Sequence, residues 1–218
     1  MRLEKASAKA IRYACMNFHY AKTIPVSSIS YSVFNQTNEW CGIISFAYPS
    51  GVMSGKMFGL VQGQFIELNR MALNGKQGST SKALSLAIKL FKKHNRTVKL
   101  LLSYADKGQN HIGTIYQATN WYYLGENESS GTDYYIKGKW RHDRRVNEEF
   151  SRDYLAKMPK RKRSGKYKYI YPLDEKLTEI CKRHSKPYPK NKRMEHESNA
   201  PGVQSGEGGQ YHPSAQNM

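Results

Sequence analysis

The sequence of 218 residues lacks the features that mark membrane, secreted and disulfide-rich proteins. No apolar run approaches the roughly 18 residues that a membrane-spanning helix requires, and the N-terminal residues have no apolar centre of the kind found in signal peptides. The three cysteines, Cys15, Cys41 and Cys181, are far apart and form no C-x-x-C pair. We therefore expect a soluble, cytoplasmic protein without a membrane partner, a disulfide or a zinc site.

Several catalytic signatures are also absent. The chain contains no G-x-G-x-x-G, no G-x-x-x-x-G-K-[ST], no H-E-x-x-H and no G-x-S-x-G. An adenine methyltransferase is expected to carry an Asp/Asn-Pro-Pro-aromatic motif, and the chain has no Pro-Pro, so DNA methylation is disfavoured. The seven histidines are scattered without an H-x-x-x-H pair. We predict no metal site from local sequence, while a site built from distant residues stays open.

Acidic residues are scarce relative to basic ones. The chain has 17 Asp and Glu against 35 Lys and Arg, which gives a net charge of +18. Much of the excess lies between Lys137 and Arg193, where 20 basic residues occur with 7 acidic ones. A localised positive charge with aromatic residues among it indicates a polyanionic partner, DNA or RNA. A basic tail that serves only solubility is the alternative.

The middle of the chain has the pattern of a ligand-binding loop in an open α/β sheet. A continuous apolar strand at residues 98–104 ends at a polar loop, and a short helix and an aromatic strand follow up to residue 125. Ligands in such sheets bind beyond the carboxyl ends of the strands. The loop residues Asp106, Gln109 and His111 are therefore predicted to belong to the functional site.

The N-terminal part predicts an amphipathic helix at residues 4–18. Its apolar residues recur on one face at helical spacing. His19 and Tyr20 follow at the end of this helix, ahead of Pro25, so they are predicted to lie where the helix passes into a loop. A histidine at this position is also stabilised by the helix dipole alone, and the position by itself leaves its role open.

The remaining periodicity predicts an α/β (α+β) fold, with a mixed central sheet flanked by helices. Glycines and a proline predict a loop at 49–63. The predicted elements are strands at 29–35, 40–48, 64–73 and 132–137, and a helix at 81–94.

A glycine-containing turn leads into the helix at 81–94. Its residues Gln77, Gly78, Ser79 and Thr80 lie where a helix N-terminus presents free backbone N–H groups to an anion. We predict a cofactor site there on this ground. An ordinary connection between a strand and a helix explains the turn equally well.

The composition changes after the catalytic core predicted for residues 1–140. Residues 141–195 form a basic, aromatic-rich extension, which we predict to pack on the core and contact DNA. Basic and aromatic residues alternate at 166–171, which an edge strand with its rings turned inward also explains. Residues 196–218 are rich in Gly, Ser, Pro and Asn and are predicted to be disordered. The predicted DNA contacts in the extension are Lys160, Arg161, Lys162, Arg163, Lys166 and Lys168.

Four segments of the chain resemble the bacteriophage Mom family. They are FHYAKTIP at 18–25, ELNRMAL at 67–73, the block from SYAD to GTIYQATNW with Gln109 and His111 at 103–121, and YKYIYPLD through KPYPK at 167–190. The resemblance covers most of the first 190 residues. It implies an enzyme that modifies adenine in double-stranded DNA on an acyltransferase-like (GNAT) fold, in the host-cell cytoplasm if it is phage-encoded.

The resemblance also implies the product, a carbamoylmethyl group on adenine N6 that protects phage DNA from restriction. The adenine amino group is a poor nucleophile, so its transfer chemistry needs a base, a stabiliser of the leaving group and an exposed nucleotide. We expect Asp106 and His19 to act as base and base-orienter, and Tyr116 to protonate the leaving group. Tyr20 and Ser103 complete the predicted catalytic set. The predicted substrate contacts outside the extension are Arg70, Gln109, His111 and Asn120.

The donor of the group is left open by the sequence. The acyltransferases of this fold bind the cofactor pyrophosphate with a Q/R-x-x-G-x-G/A loop, of which this chain keeps only Gln77 and Gly78. Acetyl-CoA and another acyl donor are both retained as cofactors. Two other functions remain: an acetyltransferase acting on a protein or small-molecule amine, and a non-enzymatic DNA-binding protein on the same scaffold. The oligomeric state is not predicted.

Overall fold

A seven-stranded sheet forms the centre of the molecule, and a three-stranded sheet lies within one of its connections. The computed structural model describes residues 1–26, 28–49, 52–128 and 131–190, so the tail at 196–218 lies outside the described residues. The strands are β1 (Arg2–Lys5), β2 (Ser28–Phe34), β3 (Trp40–Ala47), β4 (Phe65–Leu73), β5 (Leu100–Asp106), β6 (Tyr122–Asn127), β7 (Thr132–Ile136), β8 (Lys139–His142), β9 (Lys160–Lys162) and β10 (Lys166–Pro172). The helices are α1 (Ala8–Asn17), α2 (Thr80–His94), α3 (Thr114–Gln117), α4 (Asp143–Glu149), α5 (Arg152–Ala156) and α6 (Thr178–His184).

The large sheet is mixed, with the order β1-β2-β3-β4-β5-β10-β6. Its pairs are antiparallel except for β4 and β5, which run parallel and pair at residues 65–67 against 100–102. The predicted α/β class with a mixed central sheet and flanking helices is confirmed. Among the described residues, no helix is long and apolar enough to cross a membrane.

Helices cover both faces of the large sheet. Ile43 packs against α1, whereas the next residue along β3, Ile44, packs in the cluster that holds α2 and α3. Because neighbouring residues of a strand point to opposite faces, α1 lies on one face and α2 and α3 lie on the other. Cys181 of α6 packs with Leu100 and Leu102. The face that carries α6 is opposite the one that Leu101 presents to α2 and α3.

The sequence predicts the α2 region well because that helix has a strong start signal and a clean apolar stripe. Ser79 caps α2 by accepting a hydrogen bond from the Lys82 amide at 3.2 Å. The buried stripe consists of Ala83, Leu84, Ala87, Ile88 and Phe91. Phe91 is fully buried against Phe46 of β3, with ring centroids 4.5 Å apart.

The first helix begins later than predicted. Residues Arg2–Lys5 form an edge strand, β1, that pairs with β2. The helix starts at Ala8 because the side chain of Ser7 accepts a hydrogen bond from the Ala10 amide at 3.2 Å. The predicted loop at 49–63 contains a 3-10 segment, Val52–Phe58.

The predicted strand at 132–137 does not extend the large sheet. It forms β7, which pairs with β8 and β9 in the second sheet. Residues 131–163, called the insert below, combine this sheet with α4 and α5 around Ile136, Val146 and Leu155. The alternating segment at 166–171 is an interior strand, β10, between β5 and β6, so the edge-strand interpretation is wrong.

Candidate active site

Asp106 ends β5 and is held from two sides. Its Oδ1 atom accepts hydrogen bonds from the Gly108 amide at 2.9 Å and from the Ser164 hydroxyl at 2.7 Å. Its Oδ2 atom is 3.5 Å from the Tyr20 hydroxyl. The carboxylate is therefore fixed through Oδ1. Its Oδ2 atom faces the Tyr20 hydroxyl at the longest distance that still allows a hydrogen bond. Such contacts often tighten when the substrate binds.

Three rings lie beside this carboxylate. The Tyr20 ring stacks on His19 with centroids 4.5 Å apart and meets the edge of His111 at 6.1 Å. Tyr20 is half exposed. Burial of its ring and the charge of Asp106 raise the pKa of Tyr20, so its hydroxyl is protonated at neutral pH and donates to the carboxylate.

His19 is neutral at physiological pH. Burial, followed by the charges of Arg70 and His111, lowers the pKa of His19 to about 4. Its Nδ1 atom accepts a hydrogen bond from the Ala21 amide at 3.1 Å, which puts the proton of the neutral ring on Nε2. His19 therefore presents a hydrogen-bond donor. Its ring reaches Asp106 through Tyr20, whose hydroxyl makes the contact with the carboxylate.

A pH dependence follows from His19. The His19 ring takes up a proton near pH 6.5 in the unfolded chain but only near pH 4 in the folded chain. The contribution of the neutral ring to stability is therefore fully present above pH 6.5 and is lost as the pH falls toward 4. We expect the free energy of unfolding to decrease by about 1–2 kcal/mol between pH 7 and pH 4.5, after allowance for solvent screening of a partly exposed ring. Urea titrations of the wild type and His19→Asn measure this. An equal decrease in both proteins would exclude His19 as its source.

Arg70 anchors the loop that carries His19 and Tyr20. It lies on β4, and its Nη2 atom donates to the Thr23 hydroxyl at 2.7 Å. Its Nε atom donates to the Thr23 carbonyl at 3.5 Å, and its Nη1 atom to the Asn69 carbonyl at 2.6 Å. The predicted contact with substrate is therefore also a contact between two elements of the site.

Glu67 is a polar neighbour that the sequence prediction did not include among the site residues. Burial raises the pKa of Glu67, while Lys166 and Arg70 lower it. The carboxyl group lies on β4 at the last residue that pairs with β5. The signal in the sequence was an acidic residue in an otherwise apolar strand, which needs a partner or an opening to solvent.

Ser103 and Tyr116 lie on the opposite face of the sheet from Asp106. Along β5, Asp106 shares the face of Leu102, while Ser103 shares that of Leu101. The Ser103 hydroxyl is 2.7 Å from the Leu68 carbonyl and 2.8 Å from the Tyr116 hydroxyl. Because the carbonyl only accepts and Ser103 has one proton, Tyr116 donates to Ser103, and Ser103 donates to the carbonyl.

The buried pair is linked electrostatically to the other face. The pKa of Tyr116 is raised to about 12, chiefly by burial; the hydrogen bond with Ser103 opposes the rise, and the charges of Tyr20 and Glu67 add to it. Ser103 bridges β4 and β5 just beyond their paired residues, where the two strands separate. The site is therefore built on two faces of the sheet, which meet at the gap between β4 and β5.

The predicted cofactor turn opens onto a cleft of about 420 Å³ at the N-terminus of α2. Gln77, Gly78 and Ser79 line it together with Lys76 and Lys82. The Gln77 Nε2 atom donates to the Thr80 hydroxyl at 2.8 Å, and its buried Oε1 atom has no hydrogen-bond partner within the described part of the chain. Lysines beside the N-terminus of a 15-residue helix fit the anionic part of an acyl donor.

The other predicted residues are distributed unevenly around Asp106. Gln109 and His111 are exposed in the turn that follows Asp106, and Lys166 is opposite Asp106 in the strand register. Asn120, with φ +60°, lies in the turn between α3 and β6. Lys168 is half-buried in β10, and burial lowers its pKa. The basic run forms β9 and the residue after it: Lys160, Arg161 and Lys162 are exposed and Arg163 is half-buried.

Groups of three or more histidine, cysteine or acidic side chains that could hold a metal ion are absent from the described ranges.

Ser164 is a second residue that sequence reasoning did not identify, because a serine between a basic run and a glycine carries no catalytic signal. Its hydroxyl packs beside Gly108 and donates to the Asp106 carboxylate. We expect Ser164→Ala to reduce the DNA modification predicted from the sequence about tenfold, since a hydrogen bond to a charged group is lost. Modified deoxyadenosine in plasmid DNA measures the rate. Ser164→Thr keeps the hydroxyl and should restore it, and equal activity of all three proteins would contradict this positioning role.

The comparisons with known proteins agree with the resemblance. The model of the Mom protein family matches residues 1–190. The chain belongs to the Mom family. A Mom relative, the methylcarbamoylase mom of Escherichia phage Mu, is 28% identical over 151 residues, which is 67% of this chain and 62% of the relative. The chain therefore aligns with less than two thirds of that relative's length.

Solved acetyltransferase structures are similar to this Mom-family chain at low sequence identity. The spermidine/spermine N-acetyltransferase SpeG of Vibrio cholerae is 7% identical, with a TM-score of 0.46 over 82% of this chain and 95% of that one. A Bacillus subtilis acetyltransferase in complex with CoA is 8% identical, with a TM-score of 0.44 over 78% and 96%.

Proposed function

We propose that this Mom-family protein is a transferase that adds a carbamoylmethyl group to adenine N6 in double-stranded DNA, in the cytoplasm of a phage-infected host cell. Membership of the family supports DNA as the substrate, and the similarity to a methylcarbamoylase supports the transferred group. The structural observation that carries the proposal is the Asp106 carboxylate beyond the end of β5, which is fixed through Oδ1 while Oδ2 has only the long contact to Tyr20. The modification would protect phage DNA from restriction.

Asp106 is the proposed base. In the transfer step, a bond forms between adenine N6 and the carbon of the incoming group, and the bond between that carbon and its carrier breaks. The N6 proton passes to Asp106, and the leaving atom takes the electron pair of the broken bond. Tyr20 and the Nε2–H of His19 are proposed to hold the adenine and the carboxylate in register, since Tyr20 donates to Asp106 and His19 stacks on Tyr20 with a donor of its own.

The donor of the transferred group is proposed to bind on the face of the large sheet opposite Asp106. Tyr116 and Ser103 form a proton-carrying pair at the gap between β4 and β5, and Tyr116 is the proposed source of the proton for the leaving atom. The anionic part of an acyl donor would be held by Lys82 and the N-terminus of α2. An acetyl group contains no nitrogen, so acetyl-CoA alone does not supply a carbamoylmethyl group.

The test is the mass of the DNA itself. The protein is expressed in bacteria, plasmid DNA is digested to nucleosides, and their masses are compared with those from cells that carry an empty vector. We expect an added carbamoylmethyl mass on deoxyadenosine. An added acetyl mass would instead support acetyl transfer to DNA. Unmodified DNA, together with acetyl-CoA consumption in the presence of a protein or polyamine, would support the amine acetyltransferase and overturn the proposal.

A further inference from the structure

We propose that the outer face of the insert binds a strand of DNA whose bases are unpaired, next to the site where adenine is modified. This inference rests on the proposed function, because it specifies how that substrate is held. The partner of this face is a single-stranded or locally opened DNA segment. The residues that carry it are Tyr135, Trp140 and Arg161, none of which belongs to the catalytic cluster around Asp106.

The small sheet of the insert has one covered face and one open face. On β7, Tyr134 and Ile136 pack with Val146 of α4 and Leu155 of α5. Tyr135 lies between them in sequence and therefore points the other way, where its side chain is 42% exposed. The two helices thus cover the inner face, and no described part of the chain covers the outer face.

The outer face presents two aromatic rings and a guanidinium group side by side. Trp140 of β8 is directly opposite Tyr135 in the strand register, and their ring centroids are 5.3 Å apart. The guanidinium of Arg161, on β9, lies 4.3 Å from the centre of the Trp140 ring. Trp140 remains 41% exposed. Asp133 holds Arg161 in this position through an ion pair of 3.4 Å.

The charge of the insert selects a nucleic acid over an apolar partner. The insert contains 11 basic and 5 acidic residues. Arg161 and the half-buried Arg163 are the cations of the outer face, since both reach Asp133 there. The exposed Lys160 and Lys162 of β9 are opposite Tyr134 and Thr132 in the register and therefore add positive charge from the other side of the sheet. Cations that contact phosphates and rings that stack on bases are the two components of a surface for single-stranded nucleic acids. In a paired duplex the bases are stacked on one another, so their faces are not available to exposed aromatic rings. Unpaired bases offer those faces.

The insert is connected directly to the catalytic residues. The strand β9 ends at Lys162, and two residues later the Ser164 hydroxyl binds the Asp106 carboxylate. The Gly165 carbonyl accepts a hydrogen bond from the Lys107 amide at 3.2 Å. A strand of DNA on the outer face would therefore lie on the same short segment that positions the base. Because adenine must leave the base stack before its N6 atom is reached, unpaired nucleotides are expected close to this segment.

Trp140 supplies its own reporter for the test. It is the exposed member of the three tryptophans, since Trp121 is fully buried and Trp40 is half-buried. We expect a short single-stranded oligodeoxynucleotide to quench the fluorescence of the full-length protein, and Trp140→Phe to remove most of this quenching. Trp140→Ala should weaken binding of the oligonucleotide about 5- to 150-fold, the range found for the loss of one stacked base.

The matched control is Tyr154→Ala. Tyr154 is 38% exposed and stacks on Phe150 with centroids 4.9 Å apart, but it belongs to the helices that cover the inner face. The affinity of the Tyr154→Ala protein for the oligonucleotide should stay within about twofold of that of the wild type. Wild-type affinity in Trp140→Ala would overturn the inference, as would tighter binding of paired duplex or of RNA than of single-stranded DNA.

The binding assay contains no donor and requires no transfer. A loss of DNA binding in Trp140→Ala therefore supports this surface whether or not deoxyadenosine is modified. Conversely, modified plasmid DNA with unchanged binding by Trp140→Ala would leave the proposed function intact and remove this surface alone. Circular dichroism and the thermal unfolding midpoint of each variant identify any loss of binding that comes from misfolding.

Discussion

Asp106→Asn is expected to lower the modification of deoxyadenosine about 100- to 10,000-fold, the range that general bases contribute. The asparagine keeps Oδ1, which can still accept hydrogen bonds from the Gly108 amide and the Ser164 hydroxyl. It replaces Oδ2 with an amide that cannot take a proton from adenine N6. The substitution therefore removes the chemistry while it preserves the turn. Nucleoside masses from plasmid DNA measure the effect.

Asp174→Asn is the matched control for this experiment. Asp174 also precedes a 3-10 turn, Glu175–Leu177, and its Oδ1 atom accepts a hydrogen bond from the Lys176 amide at 3.0 Å. Both substitutions thus change a turn-capping aspartate into an asparagine that can still cap. We expect full modification in Asp174→Asn. Wild-type levels of modified DNA in Asp106→Asn would rule out Asp106 as the base and would direct attention to Glu67.

The location of Asp106 could be predicted because it follows from local sequence. A continuous apolar strand that breaks at a polar loop marks the carboxyl end of a buried strand, and the structure ends β5 at Asp106. His19 and Tyr20 were predicted in the same way, from the end of an amphipathic helix. These features depend on the order of residues over one turn or one strand, which the sequence states directly.

The partners of Asp106 could not be predicted because they come from distant parts of the chain. Ser164 is 58 residues away and reaches the carboxylate because β10 pairs with β5. The alternation of lysines and tyrosines at 166–171 indicates a strand but not its neighbours. Tyr169 is fully buried between other rings, a packing that only the position between β5 and β6 provides. Pairing between strands is decided by tertiary packing rather than by propensity.

The insert illustrates the same limit at a larger scale. Local patterns indicated a strand at 132–137 and a basic run at 160–163, and both form strands. Their pairing with each other, rather than with the large sheet, leaves β10 free to enter between β5 and β6. The open face with Trp140 is a consequence of that pairing. No periodicity in the segment itself distinguishes its two faces, since each carries aromatic and basic residues.

Gly113→Ala is expected to destabilise the protein by about 2–5 kcal/mol, a large share of the stability of a typical domain. Gly113 precedes α3 with φ +83°, and a Cβ atom there would lie 2.3 Å from Cε2 of Tyr169. Tyr169 cannot move aside easily, because its hydroxyl donates to the Ile112 carbonyl at 2.6 Å and its ring packs against Tyr116. Urea denaturation followed by circular dichroism measures the loss.

Gly138→Ala separates the two causes of this destabilisation. Gly138 has a similar φ of +75°, but nothing lies within 4 Å of the position that its Cβ atom would take. The Gly138→Ala variant should therefore be destabilised only by the cost of a positive φ at a residue with a Cβ atom, about 1–2 kcal/mol. The additional loss in Gly113→Ala measures the collision with Tyr169. Because a displaced Tyr169 would press on Tyr116, which donates to Ser103, folded Gly113→Ala should also modify DNA more slowly. Equal stability of the two variants would mean that the buried rings can repack, and that the Tyr116–Ser103 pair is less rigidly held than its burial indicates.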